Sequence, residues 1–562
     1  MTKKFNGNNE ILGNKIIISF PDDYSYQNWQ DPLSRLFHKV ISFNPRKERI
    51  LHGQEEMNSR FLRLVEKEKP DYILFNLISD EFSLRVFEQI REISNKTKIL
   101  NFAGDDDYQF ESFTRYLSIF LDAQIIYQRD FLKNYQDGGF KNTFVSIGTN
   151  MEHYKPLNLP KRYEVTFVGV PRNDRVDFIR YLVKNKVNIK IWGAGWEKYP
   201  DLKSIWGGYL KPEDFVKVIN ESKINLSFSK GGVGNKTYHF TGRVFEIAAC
   251  KSFQLVEFYE GYLGMYKNNE EISMFRDEKE LVKKVKYYLG NEKEREKMAE
   301  RAYRKTVKNY DRKKELLKIF KVLSRVKAKQ QQDYKNLGYK IVLIKEDDFN
   351  EGAEYLKEKT KDSDFIQFNL GNAKFSKYKS FLQIHSLSTS KKDISLCDYY
   401  INESLLGNYL LFKAKNSFYN LDKGDFDELT SLSQIMVTKD YFLDNIQNFI
   451  NAFEEGVMEF VSQKNTIFLS FPLVSINEKK RISRKLISKS FEPKFIHSLS
   501  ANLNNSKPHF VLYLGYLIAY ALLHRNWFIL HSLLEYSKMA SSNLVQSSLI
   551  KEKFNKLKFL FS

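Results

Sequence analysis

Cysteine is almost missing: Cys250 and Cys397 are the only two in 562 residues. So few, so far apart, exclude a disulfide framework and a cysteine zinc site, and they fit a reducing compartment. The nine histidines show no spaced metal pattern, and no Ser-His-Asp arrangement can be drawn from spacing. Long hydrophobic runs are also missing. The longest, FVLYLGYLIAYALL at 510–523, falls short of the roughly 20 residues that span a bilayer. It reads as a buried helix, with a membrane-dipping helix as the alternative. The opening MTKKFNGNNEILGN has no apolar core, which predicts no secretory signal. Negative charge is in deficit: 89 Lys and Arg against 69 Asp and Glu leave +20. Such a balance favours phosphates, polyanions or an anionic membrane surface. Zinc-finger, aromatic ribonucleoprotein and helix-turn-helix patterns are absent. No nucleic-acid partner is therefore expected, and a charge-driven nucleic-acid binder stands as a rival reading. Much of the excess lysine between 278 and 329 is mixed with glutamate, as on solvated helix faces.

What is present is ample core material, 42% hydrophobic and 15% aromatic, and a length that suggests three or four domains. Short apolar strands read at 15–20, 40–43, 72–77, 98–102, 124–127 and 143–146, with helical patterns such as 55–69 and 81–94 between them. The first of those helices stops at Pro70. Near-continuous Ile/Leu/Val runs at this spacing predict a parallel sheet covered on both faces. The expected fold class is α/β, with a doubly wound domain over 1–160. A second series has strands at 165–169, 187–192, 223–228 and 253–258 and helices at 174–184, 212–221 and 242–250. Pro212, followed by Glu213 and Asp214, is a good helix start. Three long polar helices from 277 to 329 close this second domain, 161–330, or cross back onto the first. KAKQQQDYKN at 327–336 reads as a linker. Beyond it come a mixed α/β accessory domain, 337–480, and a helical tail, 481–562.

The segment 240–257, FTGRVFEIAACKSFQLVE, carries the most chemistry. It reads as loop, short helix and buried strand, with Arg243 and Glu246 three residues apart at the helix start. A helix N-terminus suits a phosphate, and Arg243 adds a forked donor. Glu246, one turn on, could accept hydrogen bonds from vicinal ribose hydroxyls. A diphosphate beside a diol describes a nucleotide sugar; a surface Arg–Glu pair is the plain alternative. Upstream, the strand ending at Gly169 leads into Arg172 and Arg175, either of which could neutralise a diphosphate. WGAGW follows another strand: Gly193 and Gly195 allow close backbone approach, and Trp196 offers an aromatic face. SKGGVGNK at 229–236, ending in Lys236, could wrap phosphate oxygens with backbone N–H groups, though it lacks P-loop spacing. FAGDDDY at 102–108 ends a strand with three carboxylates. One could be a general base for an acceptor hydroxyl, Asp105 and Asp107 could bind a divalent ion, or all three could serve as a helix-cap cluster. Asp106 is the catalytic candidate.

The order VTFVG (165–169), IWGAGW (191–196), SKINLSFS (222–229), GRVFEIAAC (242–250) and FQLVE (253–257), followed by ELVKKVKYYL and EREKMAERAYRKTVKNY, resembles the glycosyltransferases group 1 domain of spore maturation protein CgeB-like proteins. ILNFAGDDDYQFESF (99–113) is similar to their N-terminal half, and the resemblance covers about 14–325. It implies a GT-B fold: two facing Rossmann-like domains, the donor held mainly by the second and the acceptor by the first. It implies sugar transfer from a nucleotide diphosphate sugar, without metal or other cofactor, because protein cations and helix dipoles stabilise the leaving diphosphate. Glu246 matches the ribose-holding glutamate and Arg243 the arginine beside it. Two positions depart from the pattern: Tyr238 stands where related enzymes have an earlier glutamate, and Lys251 where a glycine is usual.

DSDFIQFNL (362–370), DISLCDYYIN (393–402) and SLSQIMVTKDYF (431–442) faintly resemble a GT-A core, with NLGN at 369–372 in place of the acidic metal motif. That implies a degenerate GT-A-like module; an unrelated α/β accessory domain is the alternative. The combined expectation is a cytoplasmic glycosyltransferase, peripheral to an anionic inner membrane face in one version. It acts on a glycan, lipid-linked glycan or protein acceptor in surface or coat polysaccharide assembly. Gly169, Arg175, Gly193, Trp196, Lys236, Arg243 and Glu246 are its expected donor-side residues and Asp106 its acceptor-side residue. The rival is a non-catalytic glycan- or partner-binding scaffold on the same fold.

Overall fold

The computed structural model describes residues 11–330, 339–403, 408–412, 435–455 and 466–476, apart from short gaps at 22, 78–80, 173, 232–236, 371–372, 377 and 391. Lys236, most of the 327–336 linker and the tail expected at 481–562 lie outside the described residues. The chain separates into two compact units, 1–46 with 57–333, and 47–56 with 334–562.

The first unit begins with β1 (Gly13–Ser19), α1 (Asp23–Ser34), β2 (Phe37–Phe43), α2 (Pro45–Glu68, of which 47–56 group with the second unit), β3 (Tyr72–Phe75), α3 (Arg85–Ile93) and β4 (Lys98–Ala103). It continues through α4 (Asp106–Gln109), a π-turn at Phe110–Thr114, α5 (Arg115–Leu117), β5 (Ala123–Ile126), α6 (Leu132–Asp137) and β6 (Thr143–Val145). The strands form one sheet in the order β2-β1-β3-β4-β5-β6. Each neighbouring pair is parallel. Every residue of β3 and β5 is buried, as expected of strands covered on both faces. The order reverses between β1 and β3, which places a crevice at the carboxyl ends of the strands.

A second sheet follows in the same unit. Its elements are β7 (Tyr163–Val168), α7 (Arg175–Lys184), β8 (Ile189–Trp192), α8 (Pro212–Glu221), β9 (Ser222–Ser227), the hairpin β10 (Lys230–Gly231) and β11 (Thr237–Tyr238), α9 (Gly242–Ala249), β12 (Gln254–Glu257) and β13 (Ser273–Phe275). The five main strands run parallel in the order β13-β12-β9-β7-β8. Three helices come next: α10 (Glu278–Gly290), α11 (Glu292–Asn309) and α12 (Arg312–Leu323). α10 and α11 pack on the second sheet, where Leu281, Val285 and Met298 join its core. α12 returns to the first sheet: Leu316, Ile319, Phe320 and Leu323 complete the core built from Ile16, Ile18, Leu74 and Leu100. The Phe320 ring lies 5.0 Å from those of Phe37 and Tyr72.

The second unit holds a mixed sheet of β14 (Ile341–Lys345), β15 (Phe365–Asn369), β16 (Lys374–Phe375), β17 (Ile394–Glu403), β18 (Asn408–Phe412), β19 (Ile435–Thr438) and β20 (Thr466–Ile476). Its order is β14-β15-β19-β17-β20-β16, with β18 on β17. β19 lies antiparallel between β15 and β17. Asn369, where the acidic motif was sought, ends β15. No helix among the described residues is long and apolar enough to cross a membrane.

Candidate functional site

The carboxyl ends of the two parallel sheets meet at a cavity of about 330 Å³. The first lobe contributes Gly104 and Asp105 after β4, Tyr127 after β5 and Gly148 after β6; the second contributes the ends of β7 and β9 and the entrance of α9. Gln128 crosses between the lobes at its edge, and α12 braces the loop after β6. Gln128 Nε2 donates to the carbonyls of Gly104 and Phe240, and its Oε1 accepts from the Phe240 N–H at 2.8 Å. Arg312 donates to the Gly148 carbonyl, and Glu315 accepts from the Gly148 N–H and the Ser146 hydroxyl, both at 2.9 Å.

α9 starts where Thr241, in extended backbone, lends its Oγ1 to the Arg243 N–H. Thr, with no helix-interior preference, is suited to this capping position. Arg243 and Glu246 both line the cavity. Arg243 donates to Glu246 Oε2 at 2.9 Å, and its guanidinium lies 3.8 Å over the Phe215 ring. Glu246 is 1% exposed. A buried carboxylate next to a stacked guanidinium at a helix entrance combines an anion site with an acceptor of hydroxyl hydrogen bonds.

Arg175, in the first turn of α7, also lines the cavity and is 9% exposed. It donates to the carbonyls of Val170 and Lys230 at 3.3 and 3.2 Å and lies about 6 Å from the rings of Phe167 and Phe228. Among the described residues its buried Nε has no hydrogen-bond partner. Burial, and then the neighbouring Arg172, lower its pKa to about 10. Glu257 and Asp174 act the other way without reversing the shift, so a buried cation near a second cation would gain from a further anion. Lys230 is differently placed, between Asp174 at 2.5 Å and Glu257 at 3.2 Å. Burial lowers its pKa, but those two carboxylates hold it above its ordinary value. Glu257 Oε2 also accepts from the N–H groups of Ser229 and Lys230, anchoring the start of the glycine loop. Lys236, at that loop's end, lies outside the described residues.

Gly169 lines the cavity; Gly193 and Trp196 do not. They stand behind Gly169. Gly193 has φ +132°, and a Cβ there would lie 2.3 Å from the Gly169 carbonyl oxygen. Trp196 is wholly buried, and its Nε1 donates to that same oxygen at 2.7 Å. Of the three carboxylates after β4, Asp105 lines the cavity and Asp106 does not. Asp106 is 1% exposed, and its Oδ1 accepts from Thr114 at 2.6 Å and Tyr135 at 2.9 Å. Burial raises its pKa to about 7 against those two bonds. Asp107 instead reaches across the lobes: His239 Nδ1 lies 3.2 Å from its Oδ2. His239, which also lines the cavity, was not singled out by the motifs; it stands one residue upstream of the FTGRVFE segment. Among the described residues no group of three or more His, Cys, Asp or Glu side chains could hold a metal ion.

Residues 172–320 match a family described as glycosyl transferase-like. Spore protein CgeB of Bacillus subtilis (strain 168) is 25% identical over 207 residues, which are 33% of this chain and 63% of that protein. The match thus spans less than two thirds of that relative. Among solved structures, Anabaena Alr3699/HepE in complex with UDP is 11% identical with a TM-score of 0.41, over 55% of this chain and 99% of that one. Sucrose-phosphate synthase from Thermosynechococcus elongatus is 12% identical with the same TM-score and coverage. Likeness at that level carries no functional argument. Two facing Rossmann-like domains with one cleft between them are the GT-B, α/β architecture that the motif order predicts.

Proposed function

We propose that this chain, with its glycosyl transferase-like region at 172–320, moves a sugar from a nucleotide diphosphate sugar to a hydroxyl of a glycan, lipid-linked glycan or protein. The single observation that carries the reading is the grouping of the buried Arg175, which forms no ion pair among the described residues, with the Arg243–Glu246 pair of the α9 entrance in one interlobe cavity. Arg175, Arg243 and the α9 N-terminus hold the diphosphate and stabilise the charge that develops on it as the sugar leaves. Lys236 adds to that charge from the glycine loop. Glu246 accepts from the ribose hydroxyls. Gly169 lets backbone approach the ligand, and Gly193 and Trp196 fix Gly169 from behind. Asp106, buried with Thr114 and Tyr135 outside the cavity lining, braces α4. The setting proposed is surface or coat polysaccharide assembly; a spore protein is among the similar proteins.

The test is thermal melting with UDP-glucose, UDP-N-acetylglucosamine, GDP-mannose and dTDP-glucose. At least one should raise the melting temperature, as any ligand bound only by the folded state must, and Glu246→Ala should abolish the rise. If none of the four shifts the melt, or Glu246→Ala responds as the wild type does, the reading fails. A second reading, a non-catalytic glycan- or partner-binding scaffold on the same fold, is favoured by Tyr238 at the position of the earlier glutamate in related enzymes. Tyr238 is 45% exposed. Release of free nucleoside diphosphate by the purified protein separates the two.

A further inference from the structure

We infer that His239, held by Asp107, is the general base that takes the proton from the acceptor hydroxyl. The inference rests on the nucleotide-sugar reading and adds a residue to its acceptor side. His239 sits between the hairpin β10–β11 and α9, and its ring lines the same cavity as Arg175, Arg243 and Glu246. Three contacts fix it. Its Nδ1 lies 3.2 Å from Asp107 Oδ2, both side chains nearly buried. Gly231 packs so close to the ring that a Cβ there would lie 1.9 Å from Nδ1. The next residue, Phe240, is pinned at both its N–H and its carbonyl by Gln128 of the other lobe.

A carboxylate facing Nδ1 sets the tautomer. Nδ1–H donates to Asp107, leaving the lone pair on Nε2, and the carboxylate stabilises the imidazolium that forms when Nε2 takes a proton. Among the described residues the second oxygen of Asp107 is buried without a hydrogen-bond partner, so His239 is the group there that this carboxylate serves. Other carboxylates are less available. Asp105 accepts from Tyr108 at 2.9 Å, Glu246 is engaged by Arg243, and Asp106 is not in the cavity lining. Among the described residues the charged groups facing His239 are Asp105 and Asp107 from the first lobe, with Arg172 of the β7–α7 loop acting on Asp105.

In the step, the acceptor oxygen forms a bond to the anomeric carbon while its proton passes to His239 Nε2. The anomeric carbon–oxygen bond to the diphosphate breaks, and its electron pair leaves on the nucleoside diphosphate. The imidazolium then returns its proton to solvent. Asp107 touches no reactant and is a positioning residue.

The test follows nucleoside diphosphate release from the same four nucleotide sugars, with water and glycerol as hydroxyl acceptors, over pH 5 to 9. Wild-type release should rise with pH through one ionisation and level off, because only neutral imidazole accepts a proton. His239→Ala and His239→Gln should lose ~10²–10⁴-fold in release, lose the rising limb, and keep the wild-type melting shift with the nucleotide sugar. Added imidazole should restore part of the His239→Ala rate. Asp107→Asn should lower the plateau, since the carboxylate that orients the ring and stabilises the imidazolium is gone. Release within about threefold of wild type in both His239 variants, or an undiminished plateau in Asp107→Asn, overturns the inference and leaves the donor site standing. A wild-type protein that neither binds nor turns over any of the four overturns the donor reading and this inference together.

Discussion

At the scale of single residues, the cavity is set by charges that burial makes expensive unless they are matched. Glu246 is the sharpest case. Removing its carboxylate should weaken nucleotide affinity by about 10–100-fold, the 1.5–3 kcal/mol of hydrogen bonds to a charged group, as isothermal titration would measure. Asp106 yields a prediction of a different kind. Its pKa stands at about 7 in the folded protein against about 3.9 in an unfolded chain. The folded state therefore binds its proton more tightly. That contribution is complete below pH 4 and lost as pH climbs towards 7, about 4 kcal/mol for three units. Asp106→Asn, which keeps the neutral shape, should flatten the fall in stability between pH 5 and 8, read from urea midpoints. An unchanged pH profile would refute the buried, protonated form, and a loss of turnover would return Asp106 to the chemistry. The Arg243–Glu246 pair was legible because cap, helix start and i,i+3 spacing are local. The His239–Asp107 contact joins residues 132 apart in sequence, and no local pattern announces such a meeting.

At the scale of elements, the donor loop depends on parts that never reach the cavity. Trp196 holds the Gly169 carbonyl through its indole N–H and packs in the core of the second sheet. Trp196→Phe keeps much of that volume but leaves the carbonyl short of a donor. It should cost about 1–3 kcal/mol and weaken nucleotide binding, both seen in one melting series with and without ligand. Most strands of the first unit were readable because two or three buried Ile, Leu, Val or Phe residues follow one another, as in YILF of β3. α1 was not. Pro32 lies inside it, and the buried apolar anchors described there are Trp29 and Leu33, too little periodicity to mark a helix. β13 is three residues long and owes its existence to pairing with β12. The return of α12 to the first sheet was open in the sequence because an amphipathic helix shows that it has a buried face without showing which core receives it.

At the scale of the molecule, the first unit is two lobes closed by one helix. Phe320 fills the space between Phe37 and Tyr72 and is fully buried. Phe320→Ala should destabilise the unit by about 3–5 kcal/mol, with a matching fall in its denaturant midpoint. A smaller loss would mean that α12 contributes little to the first core. The same helix has a consequence for how the chain is made. Every strand of the first sheet has left the ribosome once residue 145 is out, yet the helix that seals that sheet ends at Leu323. At roughly 5–20 residues per second, the nascent first lobe waits about 10–35 s, half clad, while its neighbour is translated. Vectorial folding, in which each lobe finishes before the next begins, is thus denied to this chain. A polypeptide released at residue 160 should be a client of holding chaperones rather than a soluble domain.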